Sequence, residues 1–214
     1  ITDLIRVSET SCQLDIIGID FKCSFDKVTG RLLHAEKDGL TIIKEGPELN
    51  FWRAPIDNDM YVVEVYYKKY FMHLMTEIVK DFHSEVKENH VLIQVNVING
   101  SPNSAWHYKS VYTYKVYTDG TILLDVSGEP SGLIEKAPPM LPRIGLKMKL
   151  NKECENVRWY GLGDGESYPD SKQSQLFGFY NKSIDELFTN YIMPQENGSR
   201  SNCEWTRLID DRGM

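Results

Sequence analysis

The sequence predicts an all-β protein built from antiparallel strands. Runs rich in β-branched and aromatic residues recur along the 214 residues and are bounded by Gly, Asn or Asp, as strands commonly are. Between two of these runs stands Asp119-Gly120, a pair that tolerates the positive φ angles of a tight hairpin turn. One segment alone has strong helical character. Many evenly spaced strands with a single helix are typical of a β-sandwich.

The predicted strands follow one another at short intervals. Their expected bounds are Gln13–Ile19, Leu92–Ile98, Ser110–Tyr117, Thr121–Ser127 and Gly145–Leu150. The third run mixes large apolar and polar side chains, as a partly exposed antiparallel strand does. A second hairpin is expected around Thr29-Gly30, where a turn signal separates two short apolar runs.

The helical segment is predicted over Val62–Phe82. It contains no Gly or Pro, and its Glu, Tyr, Lys, Met and Leu residues suit a helix. Its last part, Ile78–Phe82, could pair as a strand instead. The sequence leaves both alternatives open for that end.

Composition and charge narrow the range of functions. Hydrophobic residues make up 41% of the chain and charged residues 26%, as in an ordinary globular protein with a sizeable core. The formal net charge of −7 argues against nucleic acid or an anionic membrane as a partner, because both require a basic surface. No apolar stretch approaches the length of a membrane span.

The cysteines indicate neither a zinc site nor a disulfide framework. They lie far apart and form no Cys-x-x-Cys pair. We therefore expect buried or half-buried free thiols at Cys12, Cys23, Cys154 and Cys203.

A first polar, irregular stretch runs from Phe51 to Asp59. One interpretation is a carbohydrate or cation site, since sugars bind carboxylates and amides beside an aromatic face. The other, which we favour, is a loop stabilised by an ion pair between Arg53 and an Asp, because loops of this kind need internal partners. The candidate residues are Trp52, Arg53, Asp57, Asn58 and Asp59.

A second stretch, Trp159–Asp170, contains three alternating glycines. A phosphate-binding loop would need a helix to follow and a Lys-Ser/Thr pair, and the sequence offers neither. We expect tight turns with aromatic packing rather than an ordinary strand, with Glu166 and Tyr168 as candidate interface or sugar contacts.

A third stretch, Tyr191–Arg200, has a similar composition. Asn197-Gly198 is a turn signal, and Glu196 and Arg200 are close enough in sequence to pair. Glu196, Asn197 and Arg200 complete the set of candidate site residues.

Four motifs in order resemble the C-terminal domain of the β-galactosidases of glycoside hydrolase family two. The resembling segments are Phe51–Asp59, Pro142–Leu146, Trp159–Asp170 and Pro194–Arg200. They extend over nearly the whole chain, from about Leu14 to Leu208. Departures from the family pattern include Met60 and Tyr61 where Gly is usual.

The resemblance implies an antiparallel supersandwich similar to the galactose-mutarotase fold. It also implies that the domain packs against a TIM barrel and other domains of a parent enzyme. In that family two glutamates on the barrel cleave β-galactosides by a retaining double displacement. The barrel also holds the metal ligands, so Mg and Na are expected there and no cofactor is expected in this chain.

Residues 1–214 are therefore expected to form a single β-sandwich domain, excised from a larger chain and truncated at its C-terminus. We expect no catalytic residue in it. Truncation would leave an unpaired sheet edge, which favours self-association.

Two other functions are weighed against that of a non-catalytic support domain. The chain could bind galactosides by itself, with Trp52, Trp159 and Trp205 as stacking faces. It could also be a mutarotase-like enzyme using Glu166 or Glu196 with a His, although no His lies near either Glu in sequence.

Overall fold

The computed structural model describes residues 5–210, and its contacts divide the chain into two compact units. The large unit comprises residues 5–53 and 62–150, and the small unit comprises residues 54–61 and 151–210. Both are built from antiparallel strands, which confirms the predicted all-β class. Within the described residues, no helix is long and apolar enough to cross a membrane. The similarity to the galactose-mutarotase fold and the assignment of a single domain stay predictions.

A six-stranded antiparallel sheet forms one layer of the large unit, in the order β1-β2-β3-β4-β5-β10. Its strands are β1 Arg6–Glu9, β2 Gln13–Ile17, β3 Phe21–Asp26, β4 Arg31–Lys37, β5 Leu40–Asn50 and β10 Gly145–Leu150. The hairpin predicted near Thr29-Gly30 joins β3 to β4, and Gly30 adopts the positive φ of 69° that this turn needs.

A four-stranded sheet forms the second layer, in the order β6-β7-β8-β9. Its strands are β6 Thr76–Val86, β7 His90–Gly100, β8 Trp106–Tyr117 and β9 Ile122–Gly132. The predicted Asp119-Gly120 hairpin joins β8 to β9, and Gly120 has a φ of 82°. The turn closes through a backbone hydrogen bond from Gly120 N to Tyr117 O of 3.1 Å.

The main core of the large unit lies between these two sheets. Alternate residues of β7 point inward, so Ile93 and Val95 are fully buried. They belong to the same cluster as Leu14 and Phe25 of the other sheet. Phe25 packs edge-on against Tyr114, with ring centroids 5.1 Å apart. The sandwich therefore buries aromatic and β-branched side chains from both layers.

The predicted helix Val62–Phe82 is much shorter in the structure. Helix α1 spans Val63–Lys68, and a 3-10 turn at Met72–Leu74 follows it. Phe71 adopts the left-handed conformation with φ of 50°, which a right-handed helix cannot continue. From Thr76 onward the chain is strand β6, whose backbone pairs with β7 along its length. This pairing outweighs the modest helix propensity of the segment.

The short helix covers a second, smaller core in the large unit. Its buried members are Phe51, Tyr66, Tyr70, Met72 and Trp106. The Phe51 ring stacks on Tyr108 with centroids 4.9 Å apart. The first irregular stretch thus begins inside a packed cluster.

The small unit contains a three-stranded antiparallel sheet in the order β12-β11-β13. Its strands are β11 Asn156–Gly163, β12 Leu176–Ser183 and β13 Trp205–Ile209. The expectation that Trp159–Asp170 is irregular throughout is wrong for its first half, because residues up to Gly163 form the central strand. Trp159 and Tyr160 pair with β12 on one side and with β13 on the other, and Gly161–Gly163 pair with β12. These strands supply backbone hydrogen-bond partners that the local sequence does not reveal.

Two glycines of β11 permit close packing rather than phosphate binding. A Cβ atom on Gly161 would lie 2.8 Å from the Cα of Cys203, and one on Gly163 would lie 2.8 Å from the Tyr180 ring. Both separations are too short for any larger residue. The prediction of aromatic packing is confirmed by the Trp159 ring, which stacks on Tyr180 at 5.3 Å.

The four cysteines are free thiols, and Cys23 and Cys154 are buried and half-buried as predicted. Cys23 is buried in the large unit, and burial raises the pKa of its thiol to about 12. Cys12 and Cys203 are exposed, so the expectation of buried or half-buried thiols is wrong for these two, which lie outside the strands.

Candidate functional site

In the small unit the structure brings the second and third irregular stretches together. The carboxylate of Glu166 accepts a hydrogen bond from the backbone N of Gly198 and another from the Tyr191 hydroxyl, both at 2.5 Å. The bond to Glu166 is the main cause that raises the pKa of Tyr191. Each oxygen of Glu166 thus holds one part of the loop 191–198, and the carboxylate connects two segments that are far apart in sequence.

Ser167 extends this connection into the interior of the small unit. Its side chain is fully buried, and its Oγ accepts a hydrogen bond from Ser201 N at 2.6 Å. Its own backbone N donates to Ser199 O at 3.0 Å. The Tyr168 hydroxyl accepts a long bond of 3.4 Å from Ser199 N. The two stretches are therefore joined by alternating backbone and side-chain bonds.

Asn197 and Arg200 also make local contacts. Asn197 Oδ1 accepts a bond of 3.1 Å from Thr189 N, and its Nδ2 donates to Thr189 O. Arg200 donates to Asp164 O at 3.1 Å, and its guanidinium lies 5.6 Å from the Trp159 ring centroid. The predicted pairing of Arg200 with Glu196 stays a prediction.

The acidic end of the first stretch belongs to the same unit. Asp57–Asp59 forms a 3-10 turn, and Asp59 Oδ2 accepts a hydrogen bond from Ile56 N at 3.0 Å. The backbone N of Asp57 donates to Pro194 O at 2.8 Å. Asn58 is exposed. Candidate residues from all three irregular stretches thus meet in the small unit.

Trp52 and Arg53 belong to the large unit instead. The half-buried Trp52 ring is edge-on to Tyr67, with centroids 5.2 Å apart, and lies 6.1 Å from the His73 ring. Asn50 Nδ2 donates to Trp52 O at 2.7 Å and fixes the backbone there. The predicted ion pair between Arg53 and an Asp stays a prediction.

One face of the small-unit sheet carries exposed aromatic rings. Strand register places Tyr160 opposite both Phe179 and Trp205, and Phe177 lies two residues before Phe179 on the same face. Tyr160 stacks on Phe179 at 4.4 Å and meets Phe177 edge-on at 4.7 Å. Phe179 is nevertheless 74% exposed and Trp205 46% exposed. We call these four side chains the open aromatic face.

Most of this face was not among the sequence-derived candidates, which included only Trp205, as a stacking residue. The period-two spacing of Phe177 and Phe179 is the signal that could have found it. More apolar side chains of the small unit are exposed as well. They are Leu176, Ile184, Phe188, Ile192 and Met193.

A buried polar network in the large unit was also missed. The Glu77 side chain is only 4% exposed and accepts bonds from the Tyr112 hydroxyl at 2.7 Å and from Asn99 Nδ2 at 2.9 Å. Arg31 lies 3.9 Å from Glu77 and 2.6 Å from Glu48. Burial and the charge of Glu77 together raise the pKa of Tyr112. These residues come from separate strands, so no local sequence pattern predicts that they form a network.

No cluster of three or more His, Cys, Asp or Glu side chains suitable for a metal ion occurs within residues 5–210. The polar groups of the three irregular stretches connect loops to strands, and the open aromatic face is the accessible feature of the small-unit sheet.

Comparison with known proteins identifies the family. The sequence profile described as the beta galactosidase small chain matches residues 17–214. The chain therefore belongs to the β-galactosidase small-chain family, as the four motifs predicted.

Several curated relatives are similar over most of the chain. A β-galactosidase of Pseudoalteromonas haloplanktis is 33% identical over 211 residues, which are 94% of this chain. One from Lactobacillus delbrueckii subsp. bulgaricus is 32% identical over 96% of it. One from Kluyveromyces lactis is 32% identical over 86% of it. The chain spans about a fifth of the length of these relatives, namely 20%, 20% and 18% respectively.

Proposed function

We propose that this chain is a non-catalytic support domain of a β-galactosidase. In the intact enzyme it would help to build the wall of the active site, while terminal β-D-galactose residues are hydrolysed with retention by two glutamates that lie outside this chain. The observation that carries the proposal is the open aromatic face. A protein surface rarely leaves Phe179 and Trp205 in water side by side unless another surface covers them.

The occupant we propose for this face is another part of the same β-galactosidase polypeptide. The relatives are about five times as long as the region that they share with this chain, so a protein of their length supplies such a partner. Beside the four rings the same face carries Arg158 and Arg207, opposite one another in the register and both exposed. Aromatic and arginine side chains together are the residues that protein interfaces favour.

The chemistry of Glu166 supports a structural role. A retaining glycosidase needs one carboxylate free to attack and a second to donate a proton, about 5 Å away. Both oxygens of Glu166 are instead engaged by Gly198 and Tyr191. A TIM barrel elsewhere in the polypeptide would supply the reacting glutamates, and its Mg and Na sites would lie there too.

Turnover of a chromogenic β-galactoside by the isolated 214-residue chain tests the non-catalytic role. We expect no hydrolysis above the buffer rate. Hydrolysis that co-elutes with the chain in gel filtration would overturn the proposal, whether or not Glu166→Gln abolishes it. Mutarotation of α-D-galactose, followed by polarimetry with the same two proteins, tests the mutarotase alternative, and we expect no acceleration.

A further inference from the structure

The sequence contains two Asn-Gly pairs, Asn99-Gly100 and Asn197-Gly198. An Asn followed by Gly is especially prone to deamidation, because Gly has no Cβ to shield its backbone N or to restrict the chain. The Gly N loses its proton and attacks Cγ of the Asn side chain, which expels ammonia and closes a succinimide ring. Water then opens the ring to aspartate or isoaspartate. Whether either pair can reach the geometry of this attack depends on the fold.

The fold of the large unit blocks the attack at Asn99-Gly100. Both residues belong to strand β7, in which Gly100 pairs with Thr76 of β6. Asn99 is only 3% exposed, and its Nδ2 donates to Glu77 at 2.9 Å. The attack would require a paired, extended strand to bend and a buried side chain to leave its acceptor. Strand pairing and burial therefore protect this pair as long as the large unit is folded.

Asn197-Gly198 has neither of these protections. The pair lies outside the strands of the small unit, and both residues are half-buried, so water can reach them. Gly198 adopts a φ of 82°, a turn conformation rather than an extended one. Loops open locally at a lower cost in free energy than paired strands do. Protection of this pair must therefore come from the hydrogen bonds of its own side chain and backbone.

Hydrogen bonds hold both reacting groups of this pair. Gly198 N, the attacking atom, donates to Glu166 Oε1 at 2.5 Å. The Asn197 amide, which carries the attacked carbon, accepts from Thr189 N at 3.1 Å and donates to Thr189 O, so its orientation is fixed. The carboxylate also opposes loss of the Gly198 proton, because the resulting amide anion would lie next to a negative charge. Both the deprotonation and the approach of the two groups are therefore hindered while these bonds persist.

We propose that Asn197 is a latent deamidation site and that Glu166 keeps it unreactive by holding the Gly198 N–H. Opening of the loop 191–198 releases both reacting groups and allows the succinimide to close. The aspartate or isoaspartate that results places a negative charge next to the residue that Glu166 binds, and this charge opposes the return of the loop. The inference is independent of the support role proposed above, because none of these residues belongs to the open aromatic face.

The test is peptide mass spectrometry of the 214-residue chain after incubation at mildly alkaline pH, in buffer and in concentrated urea. In urea both Asn-Gly pairs should deamidate readily, since the fold no longer restrains them. In buffer Asn197 should react at least about tenfold more slowly than in urea, the factor expected from one hydrogen bond to a charged group. Asn99 should show no measurable reaction in buffer. Equal rates at Asn197 in buffer and in urea would overturn the proposal without any variant.

Substitution of the acceptor tests the role of Glu166. Glu166→Leu leaves Gly198 N without its acceptor and should raise the rate at Asn197 in buffer about tenfold. Glu166→Gln keeps an acceptor without the charge and should give a smaller increase, which carries the comparison if Glu166→Leu does not fold. Glu153→Gln, at an exposed glutamate of the small unit, should leave the rate unchanged.

Amide exchange in β11 shows whether each variant keeps its small-unit sheet. With that sheet intact, an unchanged rate at Asn197 in the Glu166 variants would overturn the proposal. A slower rate would overturn it as well, because it would mean that the carboxylate removes the Gly198 proton as a base and promotes the reaction.

Discussion

The large unit places its aromatic rings between two sheets, whereas the small unit leaves four of them on an open sheet face. Phe25 and Tyr114 meet inside the sandwich with almost no exposure. Phe179 and Tyr160 meet at a similar distance, yet Phe179 is 74% exposed. The same kind of ring contact thus completes a core in one unit and forms a surface in the other.

The two units also use hydrogen-bonded carboxylates differently, one buried and one partly exposed. Glu77 of the large unit receives bonds from side chains of the sheet interior, namely Tyr112 and Asn99. Glu166 of the small unit receives bonds from a loop, at Gly198 and Tyr191. We infer that the large unit is stabilised by its own core and that the small unit depends more on hydrogen bonds to its loops.

Matched phenylalanine substitutions give the largest expected contrast. Phe25→Ala should lower the free energy of unfolding of the chain by about 3–5 kcal/mol, because it removes a fully buried ring and leaves a cavity. Phe179→Ala should cost about 1 kcal/mol or less, since it loses mainly the stacking on Tyr160. Urea denaturation followed by circular dichroism measures both. Equal losses of unfolding free energy in the two variants would contradict the difference between a buried ring in the large unit and an exposed ring in the small unit.

Replacement of the buried carboxylate in the large unit should have the next largest effect. Glu77→Leu should cost about 2–3 kcal/mol, because it leaves the Tyr112 hydroxyl and the Asn99 amide without their acceptor in the interior. Chemical denaturation of the variant beside the wild type is the measurement. A loss below about 0.5 kcal/mol, typical of an exposed site, would mean that the network is dispensable.

The matched substitution in the small unit should cost less. Glu166→Leu removes two charge-assisted bonds from a partly exposed site, and we expect a loss of about 1–2 kcal/mol. Amide hydrogen exchange should accelerate at Gly198, whose N–H loses its acceptor, while the amides of β7 keep their rates. Unchanged exchange at Gly198 would show that Glu166 does not hold the loop.

Acid should weaken the large unit to a smaller extent. Burial alone would raise the pKa of Asp15, but bonds from Ser24 and Gln13 and the charge of Lys22 outweigh it and hold that pKa below its ordinary value of 3.8. The stabilisation is complete above pH 3.8 and is lost as the pH falls through the lowered pKa.

Unfolding measured at pH 5 and pH 3 on the wild type and on Asp15→Asn checks this. The variant should lose less stability between the two pH values than the wild type does. An equal loss in both proteins would mean that Asp15 does not contribute to the acid sensitivity.

Local sequence signals predicted the hairpins, because Gly30 and Gly120 adopt the positive φ angles that their turns need. They failed where pairing with a distant strand decides the conformation. The segment from Thr76 to Phe82 pairs with β7, which confirms the strand alternative for Ile78–Phe82 and corrects the helical expectation for the residues before it. The glycines of β11 suggested turns, yet their role is to admit Cys203 and Tyr180 at close range. Neither the pairing of distant strands nor the close approach of distant side chains can be predicted from the local sequence pattern.

Only part of the candidate site could be predicted from the sequence. The four motifs identified the family, and the structure joins Glu166 to the loop that contains Asn197 and Gly198. The open aromatic face and the Glu77 network escaped prediction, since their members come from separate strands. Single residues in a strand signal a face only when the neighbouring strand is known.

Hydroxyl-radical footprinting tests the central claim most directly, because it reports the solvent exposure of aromatic side chains in the wild-type sequence. The 214-residue chain should be oxidised readily at Phe179 and Trp205. In the intact β-galactosidase that contains this sequence, both should be strongly protected, while the buried Phe25 and Tyr114 stay unreactive in both proteins. Equal oxidation of Phe179 and Trp205 in the two proteins would contradict the proposed support role of the open aromatic face.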